Sequence, residues 1–177
     1  MEKVRNVILC GFMATGKSTV GKRLAELVGF DFIDLDIAIE TEEGVSIPQI
    51  FAERGEPAFR ALESRMVKKM MDQSGFVIAT GGGTIVNPSN LANLKKCGVV
   101  IALTADIPTI LQRTATDTHR PLLRTQNEED REARIRSLLE QRMSAYSQAD
   151  IMLDTSSLTI EEVAQKLSTM IFRENSQ

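Results

Sequence analysis

Val7-Ile8-Leu9-Cys10-Gly11-Phe12-Met13-Ala14-Thr15-Gly16-Lys17-Ser18 runs from four apolar residues through a glycine-bounded turn into a segment of helical period. Gly11-x-x-x-x-Gly16-Lys17-Ser18 between a strand and a helix is the pattern of a phosphate cradle. Its glycines let successive backbone N–H groups face inward, and the following helix adds unpaired N-terminal donors and its positive dipole end. Ala14, Thr15, Gly16, Lys17, Ser18 and Thr19 are therefore the expected ATP-binding residues, with Lys17 reaching the β- and γ-phosphates and Ser18 ligating Mg2+. The bland alternative, a glycine-rich turn ending in Lys-Ser, requires both spacing and context to coincide by chance. A glycine often stands where Ala14 does. Because alanine disfavours positive φ, a negative φ is expected at residue 14.

Outward from this stretch, short apolar runs alternate with longer segments of helical period, which implies a parallel sheet covered by helices on both faces. Strands are expected at 7–10, 30–35, 77–80, 99–104 and 151–154. Helices are expected at 18–28, 47–73 with a break near Gly55-Glu56-Pro57, 88–96, 107–114, 128–146 and 160–172. The phosphate loop, Asp34-Leu35-Asp36, Gly81-Gly82-Gly83 and Asp154-Thr155 all follow the carboxyl ends of strands, where open α/β sheets bind ligands. Four such clusters at one rim suggest one site. Residues 114–126 lack apolar periodicity and read as a mobile lid.

The chain has 177 residues, 42% hydrophobic and 25% charged, within the range of one globular domain spanning 1–177. A formal net charge of −3 argues against a nucleic-acid partner. No stretch approaches the roughly 18–20 apolar residues of a membrane span. Two cysteines, Cys10 and Cys97, have no metal-type spacing and are expected to be reduced. A cytoplasmic monomer is the default expectation.

Asp34 and Asp36 alternate at a strand end, so their side chains are expected to leave on opposite sides, one toward metal and one toward an acceptor. Arg60 and Glu63 are three apart on a helix and can pair, although such pairs are often bland surface bridges. Three consecutive glycines, Gly81, Gly82 and Gly83, cost backbone entropy, and close approach of backbone to ligand explains them better than a plain turn. Arg113, His119, Arg120 and Arg124 cluster near the lid. Pro121 restrains Arg120 toward extended backbone, and an arginine there can stabilise a transferring phosphoryl group. His119 has no partner that would make it a base. Arg142, late in its helix, means nothing alone.

Taken in order, GFMATGKS, FIDLD, FRALE, GGG, RPLL and an arginine followed four residues later by tyrosine resemble the shikimate kinase family over about residues 7–154. The resemblance implies an α/β P-loop three-layer fold, a five-stranded parallel sheet flanked by helices with a mobile lid. It implies transfer of the ATP γ-phosphoryl to the 3-hydroxyl of shikimate, with Mg2+. Residue by residue, Lys17 and Ser18 would hold phosphate and metal, and Asp34 would act on the metal side through water. Asp36 would contact the shikimate hydroxyls and serve as base. Arg60, the Gly81-Gly82-Gly83 segment and Arg142 would hold substrate, Glu63 would orient Arg60, Arg120 would be the lid arginine, and Arg113 would stack on adenine.

Many family members carry a basic or asparagine-containing loop after the last strand. This chain has Asp154-Thr155-Ser156-Ser157-Leu158, so base contacts there are expected from backbone. Two other readings share the loop: a different small-molecule kinase, acting on gluconate or a nucleoside monophosphate, and a non-catalytic nucleotide-binding regulator. Two arginines suited to a lone carboxylate count against the first. An intact set of metal ligand, base and lid arginine counts against the second.

Overall fold

A computed structural model of the chain describes residues 4–115 and 128–172. Strand β1 (Asn6–Gly11) is buried along its whole length and lies at the centre of a five-stranded parallel sheet. It pairs with β3 (Phe76–Ala79) on one side and β4 (Val99–Thr104) on the other. The edges are β2 (Asp31–Asp34) beside β3 and β5 (Ile151–Asp154) beside β4, giving the order β2-β3-β1-β4-β5.

The period-two alternation of β1 divides the core. Val7 and Leu9 face α1 (Lys17–Val28) and α7 (Ile160–Phe172), packing with Val20, Leu24, Val163 and Leu167. Ile8 and Cys10 face the other layer, with Ile50, Val67, Leu94 and Tyr146. That layer contains α3 (Ile47–Met70), α4 (Pro88–Cys97), α5 (Ile107–Thr114) and α6 (Glu128–Tyr146). Such two-sided burial is what makes an inner parallel strand read as a continuous apolar run. The five strands and six of the helices follow the sequence reading to within three residues at each boundary.

One helix was not anticipated. Leu35–Glu43 forms α2, so the expected strand 30–35 stops at Asp34. Leu35-Asp36-Ile37-Ala38-Ile39 mimics strand alternation, yet the buried pair is Leu35 and Ile39, an i,i+4 helical spacing, while Ile37 is exposed. Asp34 caps the helix, its Oδ1 accepting the N–H groups of Asp36 and Ile37 at 3.0 and 3.5 Å. The two aspartates therefore diverge because a strand turns into a helix between them, and not because of the pleat.

The expected break in α3 is present: Gly55 adopts φ 78°, ψ 169°, two residues before Pro57. Ile47, Pro48 and Phe51 before it and Phe59, Arg60 and Glu63 after it line the same cleft. Among the described residues no helix is long and apolar enough to cross a membrane. Both cysteines are buried and unbridged.

Candidate active site

The loop between β1 and α1 has the strand-to-helix context that its pattern requires. Gly16 sits in left-handed conformation at φ 94°, and no side chain caps α1, which leaves the first N–H donors of the helix for an anion. These residues, with Arg113, Thr155, Leu158 and Ile160, line one groove. Lys17 Nζ donates to the Phe12 carbonyl at 2.8 Å across the turn.

Ala14 departs from expectation. Its φ is +60°, the one positive value at a non-glycine among the described residues. The tertiary contacts of the loop hold it there: Arg113 Nη1 donates to the Ala14 carbonyl at 3.2 Å, and Thr155 Oγ1 donates to the Thr15 carbonyl at 3.2 Å. Arg113 also bonds the Thr155 hydroxyl and carbonyl, at 3.1 and 2.8 Å. It belongs to the last turn of α5 and fastens the loop after β5 to the phosphate loop. Asp154 spends its carboxylate on Ser156 within its own turn, leaving Thr155 and Leu158 to face the groove.

A second cleft, about 330 Å³, adjoins the first through Lys17 and Ser18. Asp34, Asp36, Arg60, Glu63, Thr80, Gly81, Gly82, Gly83 and Arg142 bring its polar groups, and Met13, Ile47, Phe51 and Phe59 form its apolar wall. Ser18 Oγ donates to Asp34 Oδ2 at 2.5 Å, so the two expected metal ligands are adjacent. Asp36 projects from the first turn of α2, its Oδ1 enclosed and without a hydrogen-bond partner. Burial, then Asp34 and Glu63 nearby, push its carboxyl up to about 6 despite the opposing charge of Lys17.

Arg60 and Glu63 are not a surface bridge. Glu63 is 2% exposed, and its Oε2 accepts Arg60 Nη1 at 2.7 Å. Arg142 is buried over the Phe12 ring, 5.7 Å from its centroid, and has no acidic partner among the described residues. Beside it Tyr146 donates its hydroxyl to the Gly82 carbonyl at 2.7 Å, and burial pushes that phenol up to about 12, so it stays a donor.

The three glycines are explained by protein side chains. A Cβ at Gly81 would lie 2.7 Å from Glu63 Oε1 and 2.8 Å from Asp36 Oδ1. At Gly82 it would lie 3.1 Å from Arg142 Nη1, and at Gly83 2.6 Å from Arg60 Nη1. Gly81 makes room for two carboxylates and Gly82 and Gly83 for one guanidinium each, a reason for the three glycines that the sequence reading, which looked to ligand approach, did not contain. Sequence reasoning placed Asp154-Thr155 at the site's rim and noted the tyrosine four residues after Arg142, but gave neither Thr155 nor Tyr146 a role, and it missed Thr84 as a support of the site. Arg120, His119 and Arg124 lie outside the described residues. Cys10, under the loop, is pushed up to about 12 by burial and is no nucleophile.

A family model for shikimate kinase matches residues 13–172. The shikimate kinase of Thermodesulfovibrio yellowstonii is 44% identical over 164 residues, covering 93% of each chain. That of Caldanaerobacter subterraneus is 46% identical over 164 residues, covering 93% of this chain and 94% of its own. The structure of Acinetobacter baumannii shikimate kinase in complex with shikimate is 36% identical, covers 99% of this chain and 97% of its own, and superposes with a TM-score of 0.92. Sequence, fold and a cleft with two arginines beside a phosphate cradle agree, and the chain belongs to the shikimate kinase family.

Proposed function

We propose that the two adjoining clefts divide the reaction of this ATP-dependent kinase between them. The loop groove takes ATP, the cleft of Asp36, Arg60 and Arg142 takes shikimate, and the γ-phosphoryl passes to the 3-hydroxyl to give shikimate 3-phosphate and ADP. The observation that carries this reading is the buried Arg142 guanidinium, without an acidic partner among the described residues and facing the same cleft as Arg60. A guanidinium fork grips a carboxylate with parallel hydrogen bonds, and a small hydroxylated carboxylate supplies the missing anion.

Lys17, Gly16, Thr15, Ser18, Thr19 and Ala14 cradle the phosphates. Arg113 and the backbone of the loop after β5 border the base. Ser18 and Asp34 suit Mg2+, which uses few protein oxygens and completes its shell with water and substrate phosphates; the ion would neutralise charge on the transferring group. Asp36, too weak a base to ionise an alcohol outright, orients the hydroxyl and accepts its proton late in a loose transition state. Gly81, Gly82 and Gly83 admit substrate and side chains together. Arg120, assigned by resemblance, would stabilise the phosphoryl charge with Lys17. A monomeric cytoplasmic enzyme without nucleic-acid or membrane partners completes the reading.

ADP release measured in parallel with shikimate, gluconate and AMP tests it. Turnover is expected with shikimate alone; the absence of a response to shikimate would overturn it.

A further inference from the structure

Glu63 has a second oxygen, and what it meets is not accounted for by the grip on Arg60. Its Oε1 accepts the Thr84 hydroxyl at 2.5 Å, in a contact from which water is excluded: Glu63 is 2% exposed and Thr84 1%. Thr84 opens a 3-10 turn, Thr84–Val86, directly after the three glycines. That turn is itself anchored, Asn90 Nδ2 of α4 donating to the Thr84 carbonyl at 3.1 Å and the Thr84 N–H bonding the Gly81 carbonyl at 3.2 Å. Glu63 Oε1, Asp36 Oδ1 and Thr84 Oγ1 all lie within 3.1 Å of the space where a Gly81 side chain would begin.

We propose that Thr84 is a positioning residue for the acceptor substrate, acting through Glu63 on Arg60. The assignment rests on the reading of this cleft as the shikimate site. Arg60 is only partly buried and is pulled outward by Glu56, which bonds its Nε and Nη2 at 3.1 and 2.8 Å. The inner tether is the single bond to Glu63 Oε2. Glu63 in turn sits beside a like-charged carboxylate, Asp36, and the Thr84 hydroxyl is the described donor that satisfies its remaining oxygen on that side. Without it Oε1 is buried and unpaired, and the carboxylate rotates away from the geometry that aims Arg60 into the cleft. Asn90 fixes the height of Thr84 from the opposite side, so α4 sets the rotamer of a carboxylate on α3.

The test compares Thr84→Val, which keeps shape and removes the hydroxyl, with Thr84→Ser, which keeps the hydroxyl. Wild-type turnover on shikimate is measured first; its absence would refute the site reading itself, separately from the role of Thr84. Given that turnover, Thr84→Val is expected to raise KM for shikimate about tenfold, the effect of one charge-assisted bond, with KM for ATP within about twofold. Thr84→Ser is expected to restore KM for shikimate to within about threefold of wild type. An unchanged KM for shikimate in Thr84→Val, an equal rise in both KM values, or a Thr84→Ser variant as impaired as Thr84→Val would each overturn the proposal. A Thr84→Val chain that fails to fold leaves the serine variant and Asn90→Asp to decide, the latter expected to raise KM for shikimate and not for ATP.

Discussion

The nucleotide groove and the acceptor cleft share Lys17 and Ser18, yet they are built in opposite ways. The groove takes its central part from one uninterrupted stretch, residues 14–20, and in the proposed reading would work largely through backbone donors. The proposed acceptor cleft draws its polar groups from β2, α2, α3, α6 and the glycines after β3, and would work through side chains. Backbone donors tolerate side-chain exchange around them. A side-chain site does not, because each charged group needs its own partner or its own absence of one.

The sharpest way to break this contrast is Asp36→Asn. Loss of the base is expected to lower kcat by about 10²–10⁴-fold while ATP binding, followed by nucleotide titration, stays near wild type. A matching fall in ATP affinity would show that the two clefts are not separable. The same variant has a second readout. Because the folded-state carboxyl is raised to about 6, the folded chain binds the extra proton, and Asp36 costs stability as pH rises from about 4 to 6 and throughout the range above. Asp36→Asn is expected to be more stable than wild type at pH 7–8 by on the order of 2–3 kcal/mol, with no difference below roughly pH 4. Chemical denaturation without nucleotide or Mg2+ at both ends of that range checks it.

Arg142→Ala sharpens the comparison from the substrate side. Loss of a guanidinium grip worth about 1.5–3 kcal/mol should raise KM for shikimate by about 10–150-fold. KM for ATP should change little, and steady-state kinetics with each substrate varied in turn decides. The smallest effect belongs to the groove. Ala14 holds φ +60°, a conformation that costs a Cβ-bearing residue roughly 1 kcal/mol, partly offset by the greater chain entropy of glycine. Ala14→Gly is expected to stabilise the protein by up to about 1 kcal/mol, seen as a small rise in Tm. A loss of stability would mean that the bonds to Arg113 and Thr155 define the loop more than its intrinsic preference does.

The limits of reading the chain without its fold show at particular residues. Lys17 and Ser18 could be named because a fixed local spacing between a strand and a helix marks them, although Ser18 meets Asp34 from the next strand. Asp34 and Asp36 could be named but not oriented, since a stretch alternating like a strand closes into α2 once Leu35 and Ile39 find the core. Glu63 and Arg60 looked like one of many i,i+3 pairs, and only burial separates them from a surface bridge. Ala14 was assigned the wrong sign of φ because alanine's own preference is overridden by two bonds from residues about a hundred and more positions away.

By itself, then, the sequence determined the alternation of five strands with six of the helices, the phosphate-loop pattern and the family resemblance, because these depend on local periodicity, spacing and ordered motifs. The tertiary structure alone decided which side chains crowd the three glycines, which oxygen of Glu63 holds Arg60, and that Arg142 has no acidic partner among the described residues. Those are questions of distance and burial between segments far apart in the chain, and no window of sequence contains them.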